Sequence, residues 1–150
     1  MKPTDMTTYH NTLTQARAHR IIKTKLSYFL RPHNLTMMQW AIVGSLYKAG
    51  DTGMRVSDLA SQLDTSLAFV TTTLNVLEAK GIVERASHAQ DNRAKVVHLT
   101  NDFTPKVEVI EKEIAEKLRD WLVPVLGREQ LDVYLAVIHK IANAEQKSAA

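Results

Sequence analysis

The sequence predicts a mainly α-helical fold with one small β-hairpin, α+β in class. Three observations carry that prediction. Apolar residues recur every three to four positions through most of the 150 residues, the period of helices that bury one face. Two short stretches, 82–86 and 95–99, break that period and flank a polar segment. The five glycines and four prolines fall mostly where helices should start or stop.

Residues 5–30 read as one long helix, with Met6, Tyr9, Leu13, Ala16, Ile22, Leu26 and Phe29 on its apolar stripe and Pro32 after its end. Thr36 opens a second helix. Thr36 and Gln39 have capping-box spacing, and Leu35 and Trp40 occupy the two positions of a hydrophobic staple. Trp40, Val43, Leu46 and Tyr47 keep the helical period, and Gly50 closes the helix. Met54–Val56 reads as extended. Ser57 is placed as the N-cap of a short helix carrying Leu59 and Leu63. Asp64, Thr65 and Ser66 form a turn, and Ser66 caps a fourth helix that buries Val70, Leu74 and Leu77 and stops at Gly81. Two short helices joined by a tight polar turn are helix-turn-helix grammar.

Residues 82–86 and 95–99 read as strands around a polar loop, 88–93. A hairpin behind a helix-turn-helix is a wing. In the last third, Val107, Ile110, Ile114, Leu118, Trp121 and Leu122 share one stripe. Glu108–Lys112 and Glu113–Lys117 are four apart in the favourable order. Pro124 and Gly127 are expected to break this helix. Leu131, Tyr134, Leu135, Ile138 and Ile141 then form a final amphipathic helix, and the terminal residues should fray.

Composition narrows the function. Hydrophobic residues make up 45% of the chain and charged residues 23%, enough apolar surface for a core. Cysteine does not occur, which removes disulfides, thiolate nucleophiles and Cys-based zinc sites. No apolar run reaches membrane-span length. The opening residues, MKPTDMTTYH, have no signal-peptide character. A cytoplasmic protein without membrane association is expected. Net charge is +3, unevenly spread: residues 1–49 carry +6, residues 50–100 carry −1 and residues 101–150 carry −2. Bulk charge therefore does not mark the winged segment for nucleic acid, and pattern must carry that case.

The pattern becomes specific at Asp91-Asn92-Arg93-Ala94-Lys95-Val96-Val97-His98-Leu99-Thr100. This D-x-R-x5-L-T run resembles the wing signature of the MarR family of winged-helix transcription regulators. Ser57-Asp58-Leu59-Ala60, the run from Leu77 to Arg85, and Leu35-Thr36 before Gln39-Trp40 are similar to its helix-turn-helix, helix-to-strand junction and second helix. The resemblance is strong over residues 35–100 and only architectural over 5–30 and 104–145. It implies a winged helix-turn-helix domain over residues 35–103, flanked by N- and C-terminal dimerisation helices at 1–34 and 104–150. It also implies a homodimer bound to double-stranded DNA at a pseudo-palindromic site. Members of the family commonly begin a long helix at the signature Thr. Pro105 disfavours that here, so Thr104 is expected to cap and Pro105 to be the first helical residue.

Site residues follow from this frame. Arg93, near the hairpin tip, suits a narrow minor groove, and Asp91 two residues earlier can orient its guanidinium. The bland alternative is a surface ion pair of little consequence. On the recognition helix, Ala68, Phe69, Thr71, Thr72 and Asn75 should face outward, with Thr65 and Ser66 at its start. Family members commonly carry Arg at the place of Thr72. Here no Arg or Lys lies between Thr65 and Glu78, so the bidentate Arg–guanine contact is not available. Arg55 and Lys95, with Lys80 and Arg85, are candidate phosphate contacts.

Family resemblance also implies a small effector, lipophilic or anionic, and a repressor that releases DNA on binding it. Arg20 and Lys23 share a face of the first helix, and Met37 and Trp40 could form an apolar wall for an aromatic acid. The alternative is that those cations pair with acidic residues of the fifth helix across the dimer. Six histidines show no H-x3-H spacing and no cysteine accompanies them. No glycine-rich phosphate loop, G-x-S-x-G or H-E-x-x-H occurs. No metal, cofactor or enzymatic activity is expected. A competing function is a winged-helix dimer that binds protein or ligand without DNA, favoured by the near-neutral winged segment.

Overall fold

A computed structural model describes Lys2, residues 6–88 and residues 91–144, with side chains for all of these except 87–88 and 91–94. Six helices and three strands follow in the order α1 (Thr8–Leu30), α2 (Met37–Ala49), β1 (Met54–Arg55), α3 (Val56–Gln62), α4 (Leu67–Ala79), β2 (Val83–His88), β3 (Asp91–Leu99), α5 (Thr104–Leu126) and α6 (Arg128–Ala142). The predicted mixed fold, helical with a small hairpin, is what forms. Two compact units divide the chain, residues 1–112 and 113–150.

In the first unit the local grammar of α2 holds. Thr36 Oγ1 accepts from the Gln39 amide while Gln39 Oε1 accepts from the Thr36 amide, so two orphan donors are satisfied reciprocally. The inward face of α2 differs from the expected stripe. Gln39, Ile42, Val43 and Leu46 are buried, Trp40 is half-buried and Tyr47 is exposed. Gln39 tolerates burial because its carboxamide is used twice, in the cap and as acceptor for the Lys80 ammonium at 3.1 Å. Lys80 also donates to the Asn34 carbonyl at 2.6 Å, so it ties α4 to the start of α2 and is not a free phosphate contact.

α3 begins at Val56 with Arg55 as its N-cap, two residues earlier than a Ser57 cap would allow, because β1 pairs only through Met54 and Arg55. The turn into α4 places Asp64 at φ 52, a left-handed conformation that a short polar side chain tolerates. Ser66 Oγ accepts from the Phe69 amide and caps α4 as expected. Val70, Leu74 and Leu77 are fully buried. At the far end Gly81 adopts φ 70 and the Ile82 amide returns to the Leu77 carbonyl, closing α4 with a Schellman pattern.

The sheet is antiparallel in the order β1-β3-β2. Arg55 pairs with Val96, and Val83 to Ser87 run against Leu99 to Lys95, with an irregularity between Ser87 and His88. The strands extend beyond the sequence reading, so most of the polar segment 88–93 is strand backbone and not loop. The sequence shows no apolar alternation over that segment, so period-2 patterning could not have marked it as strand. Thr100 Oγ1 donates to the Gly81 carbonyl at 2.8 Å and its amide donates to the Ile82 carbonyl. The signature Leu-Thr thus pins the end of the ribbon to the end of α4.

Two boundaries at α5 also differ. Thr104 is already helical and donates its hydroxyl to the Thr100 carbonyl, so Pro105 sits second in the helix, still within the turn where no amide is needed. Pro124 does not break α5, which runs to Leu126. It lies in the last turn of α5, and Gly127 at φ 79 makes the actual stop. In the second unit Ile114 and Leu131 are buried, whereas Leu135, Ile138 and Ile141 of the predicted α6 stripe are 55%, 46% and 66% exposed. On α1, Tyr9 and Leu13 are likewise exposed and only Leu30 is buried.

Candidate nucleic-acid interface

Capping by Ser66 and burial of Val70, Leu74 and Leu77 set which side of α4 faces solvent. Ala68, Phe69, Thr72 and Asn75 are exposed and Thr71 is partly so, as the sequence predicts. Leu67 and Val76 join that face as exposed apolar residues. Ser66 is exposed at the N-terminus and Thr65 is half-buried. The threonine hydroxyls are not idle. Thr71, Thr72 and Thr73 donate to the Leu67, Ala68 and Phe69 carbonyls at 2.9, 3.0 and 2.8 Å. Each can still accept a hydrogen bond and offer a methyl group, but its proton is committed to the helix.

Arg85 proves to be a link between ribbon and helix. Its Nη2 donates to Asn75 Oδ1 at 2.6 Å and lies 3.5 Å from the Thr71 carbonyl, and its Nε lies 3.8 Å from a Glu78 carboxylate oxygen. It is half-buried and engaged, so its reading as a phosphate contact is replaced. Strand alternation could have shown this. Arg85 lies two residues from buried Val83 and so on the same face of β2. Arg55 on β1 and Lys95 on β3 are exposed. The backbones of Asp91 and Arg93 belong to β3, while their side chains, and the expected Asp91–Arg93 arrangement, lie outside the described residues.

Two clefts of the first unit lie away from this face. One of about 380 Å³ is walled by Trp40, Gly44, Tyr47 and Val107, with Glu108, Glu111 and Lys112 beside them. Another of about 530 Å³ shares Tyr47 and includes Leu46, His98 and Pro105. Of the four expected effector residues, Trp40 lines the first cleft. Arg20 and Lys23 are exposed on α1 and are not among the lining residues, and Met37 is half-buried at the start of α2. Tyr47 Oη donates to Glu108 Oε1, and this bond, with desolvation and the carboxylate charge, holds the phenol above its usual pKa of 10.0. A raised folded-state value means the bond's contribution is intact below pH 10 and is lost as pH rises through that value. In an alkaline absorbance titration, one of the four tyrosines should titrate late, and Glu108→Ala should return it to the ordinary range. Unchanged titration in that variant would contradict the contact.

Among the described residues, no three His, Asp or Glu side chains are grouped to hold a metal. No helix among them is long and apolar enough to cross a membrane.

An exposed helix of a helix-turn-helix, joined at its flank to a β-ribbon, defines the winged helix-turn-helix class. Residues 35–95 match the MarR family model. Solved structures agree. The chain is 27% identical to MepR of S. aureus in a MepR–DNA complex, covering 90% of this chain and 97% of that one at a TM-score of 0.72. The transcriptional repressor CouR, bound to a 23-mer DNA duplex, is 24% identical over 86% of this chain and 89% of its own, at 0.78. MarR from E. coli is 23% identical over 85% and 94%, at 0.70. The family match thus falls on the winged segment of the chain, residues 35–95.

Proposed function

We propose that this chain is a MarR-family transcriptional regulator that binds duplex DNA as a cytoplasmic homodimer and acts as a repressor that a small ligand releases. The observation that carries the reading is the exposed face of α4, Ala68 to Asn75, locked by Arg85 to the strand that bears the wing. A helix of this kind enters a major groove, and a two-fold dimer then requires half-sites about one turn, roughly 34 Å, apart. MepR, 27% identical and solved on DNA, supports the same use of this domain here. Exposed apolar residues on α1 and α6 supply surface for the second subunit.

For the effector, the Trp40 cleft favours the lipophilic half of the expectation. Its walls are apolar and aromatic, and the two carboxylates of Glu108 and Glu111 outnumber the single ammonium of Lys112, which leaves the rim net negative. The near-neutral winged segment favours the competing reading, a dimer that binds without DNA. Titration of random-duplex affinity against salt separates the two. A DNA-binding regulator shows a steep negative slope that Arg93→Ala flattens by about one unit.

A further inference from the structure

The geometry points to Arg85 as a positioning residue that decides what Asn75 can read. This rests on the DNA-binding reading above. A guanidinium only donates, so the Asn75 atom 2.6 Å from Arg85 Nη2 must be the carbonyl oxygen. The amide nitrogen is then turned away from β2. Asn75 itself is exposed. Arg85 cannot easily swing off, because the same Nη2 also lies 3.5 Å from the Thr71 carbonyl and its Nε lies 3.8 Å from the Glu78 carboxylate.

The rest of α4 sharpens the consequence. It carries no Lys or Arg, and Thr71, Thr72 and Thr73 spend their protons on helix carbonyls. Among the described residues, the Asn75 amide is therefore the one α4 side-chain donor not committed within the chain. A donor in the major groove can meet guanine O6 or N7, adenine N7 or thymine O4. Cytosine presents only its own amino donor there. We propose that Asn75 discriminates against cytosine at one base position per half-site, and that Arg85 makes this possible by preventing the carboxamide from flipping.

The test is selection of bound duplexes from a random pool by the full-length chain, for wild type, Arg85→Met, Arg85→Lys and Asn75→Asp. Wild type should deplete cytosine about five- to ten-fold at one position. Arg85→Met should bring that depletion within about two-fold of none, while random-duplex affinity stays within about three-fold. Arg85→Lys, which keeps a donor, should retain the preference. Asn75→Asp, an acceptor only, should reverse it toward cytosine. If Arg85→Met melts early and cannot be used, Arg85→Gln, which loses the guanidinium but keeps a polar side chain, takes its place with the same expected loss of preference. Duplex binding with base preference unchanged in Arg85→Met or Asn75→Asp overturns this inference and leaves the DNA-binding reading standing. Absence of wild-type binding to any duplex overturns both.

Discussion

Replacing Gly53 with alanine should destabilise the winged domain by about 3 kcal/mol, two contributions adding. Gly53 sits at φ 64 and ψ −169 between α2 and β1, a backbone conformation that is essentially glycine's alone and costs an alanine roughly 1–3 kcal/mol. Its added Cβ would also lie 2.6 Å from the Val97 carbonyl oxygen, from Val96 Cγ1 and from His98 Cε1. A backbone oxygen in a paired strand cannot yield as a side-chain tip can, and overpacking of this kind costs about 1–3 kcal/mol. Because β3 is the middle strand of the sheet, any shift that relieves the clash disturbs both pairings. Urea unfolding reads the effect as a lower midpoint. Gly44→Ala is the control of opposite sign. Gly44 lies within α2, and an added Cβ meets nothing within 4 Å, so alanine there should stabilise by about 0.5–1 kcal/mol. Equal midpoints for the Gly53 variant and wild type would show that the close approach of Gly53 to β3 is not as described.

For the DNA-binding homodimer proposed above, Ile138→Asp should leave the chain folded, abolish dimerisation, and weaken specific duplex binding by about 10²- to 10⁴-fold, the range lost when two linked contacts become one. Ile138 is in the middle of the α6 stripe with Leu135 and Ile141, and all three are exposed in the single subunit. A charge at an exposed position costs the isolated fold little. The same charge buried unpaired against a second subunit is costly. The variant therefore separates assembly from folding, with scattering mass and circular dichroism as the two readouts. A variant that stays dimeric would remove α6 from the interface. A monomer that retained wild-type affinity would remove the dimer from DNA recognition.

Much of this fold is legible in the residues because local rules and tertiary packing agree. The Thr36–Gln39 box, the Ser66 cap, the Gly81 stop and the buried triad of α4 all form as their spacing implies. Disagreements arise where a neighbour outside the local window decides. Gln39 is buried, at the expense of a Trp40 and Tyr47 stripe, because Lys80 arrives from the end of α4 to share its carboxamide. Lys80 and Arg85 look like phosphate contacts in a list of cations. Each is instead tied to partners, Lys80 as far as 46 residues away; strand alternation marks the inward face for Arg85 but not the groups that either side chain meets. Pro124 stays within α5, and the stop falls three residues later at Gly127, whose positive φ ends the helix. Of the candidate site, the outward face of α4 follows from burial of the opposite face. What its hydroxyls and its one amide can offer depends on bonds visible only once the backbone and Arg85 are in place.

Engagement of a duplex by the charges of the winged domain and the α4 face is tested most directly by affinity for a random duplex as a function of salt, with the wild-type chain and Arg93→Ala side by side. Log affinity should fall steeply and linearly with log salt, and the Arg93 variant should lose about one unit of that slope. A flat line for wild type, or identical steep lines for both proteins, would contradict it, the first by removing DNA altogether and the second by removing the wing.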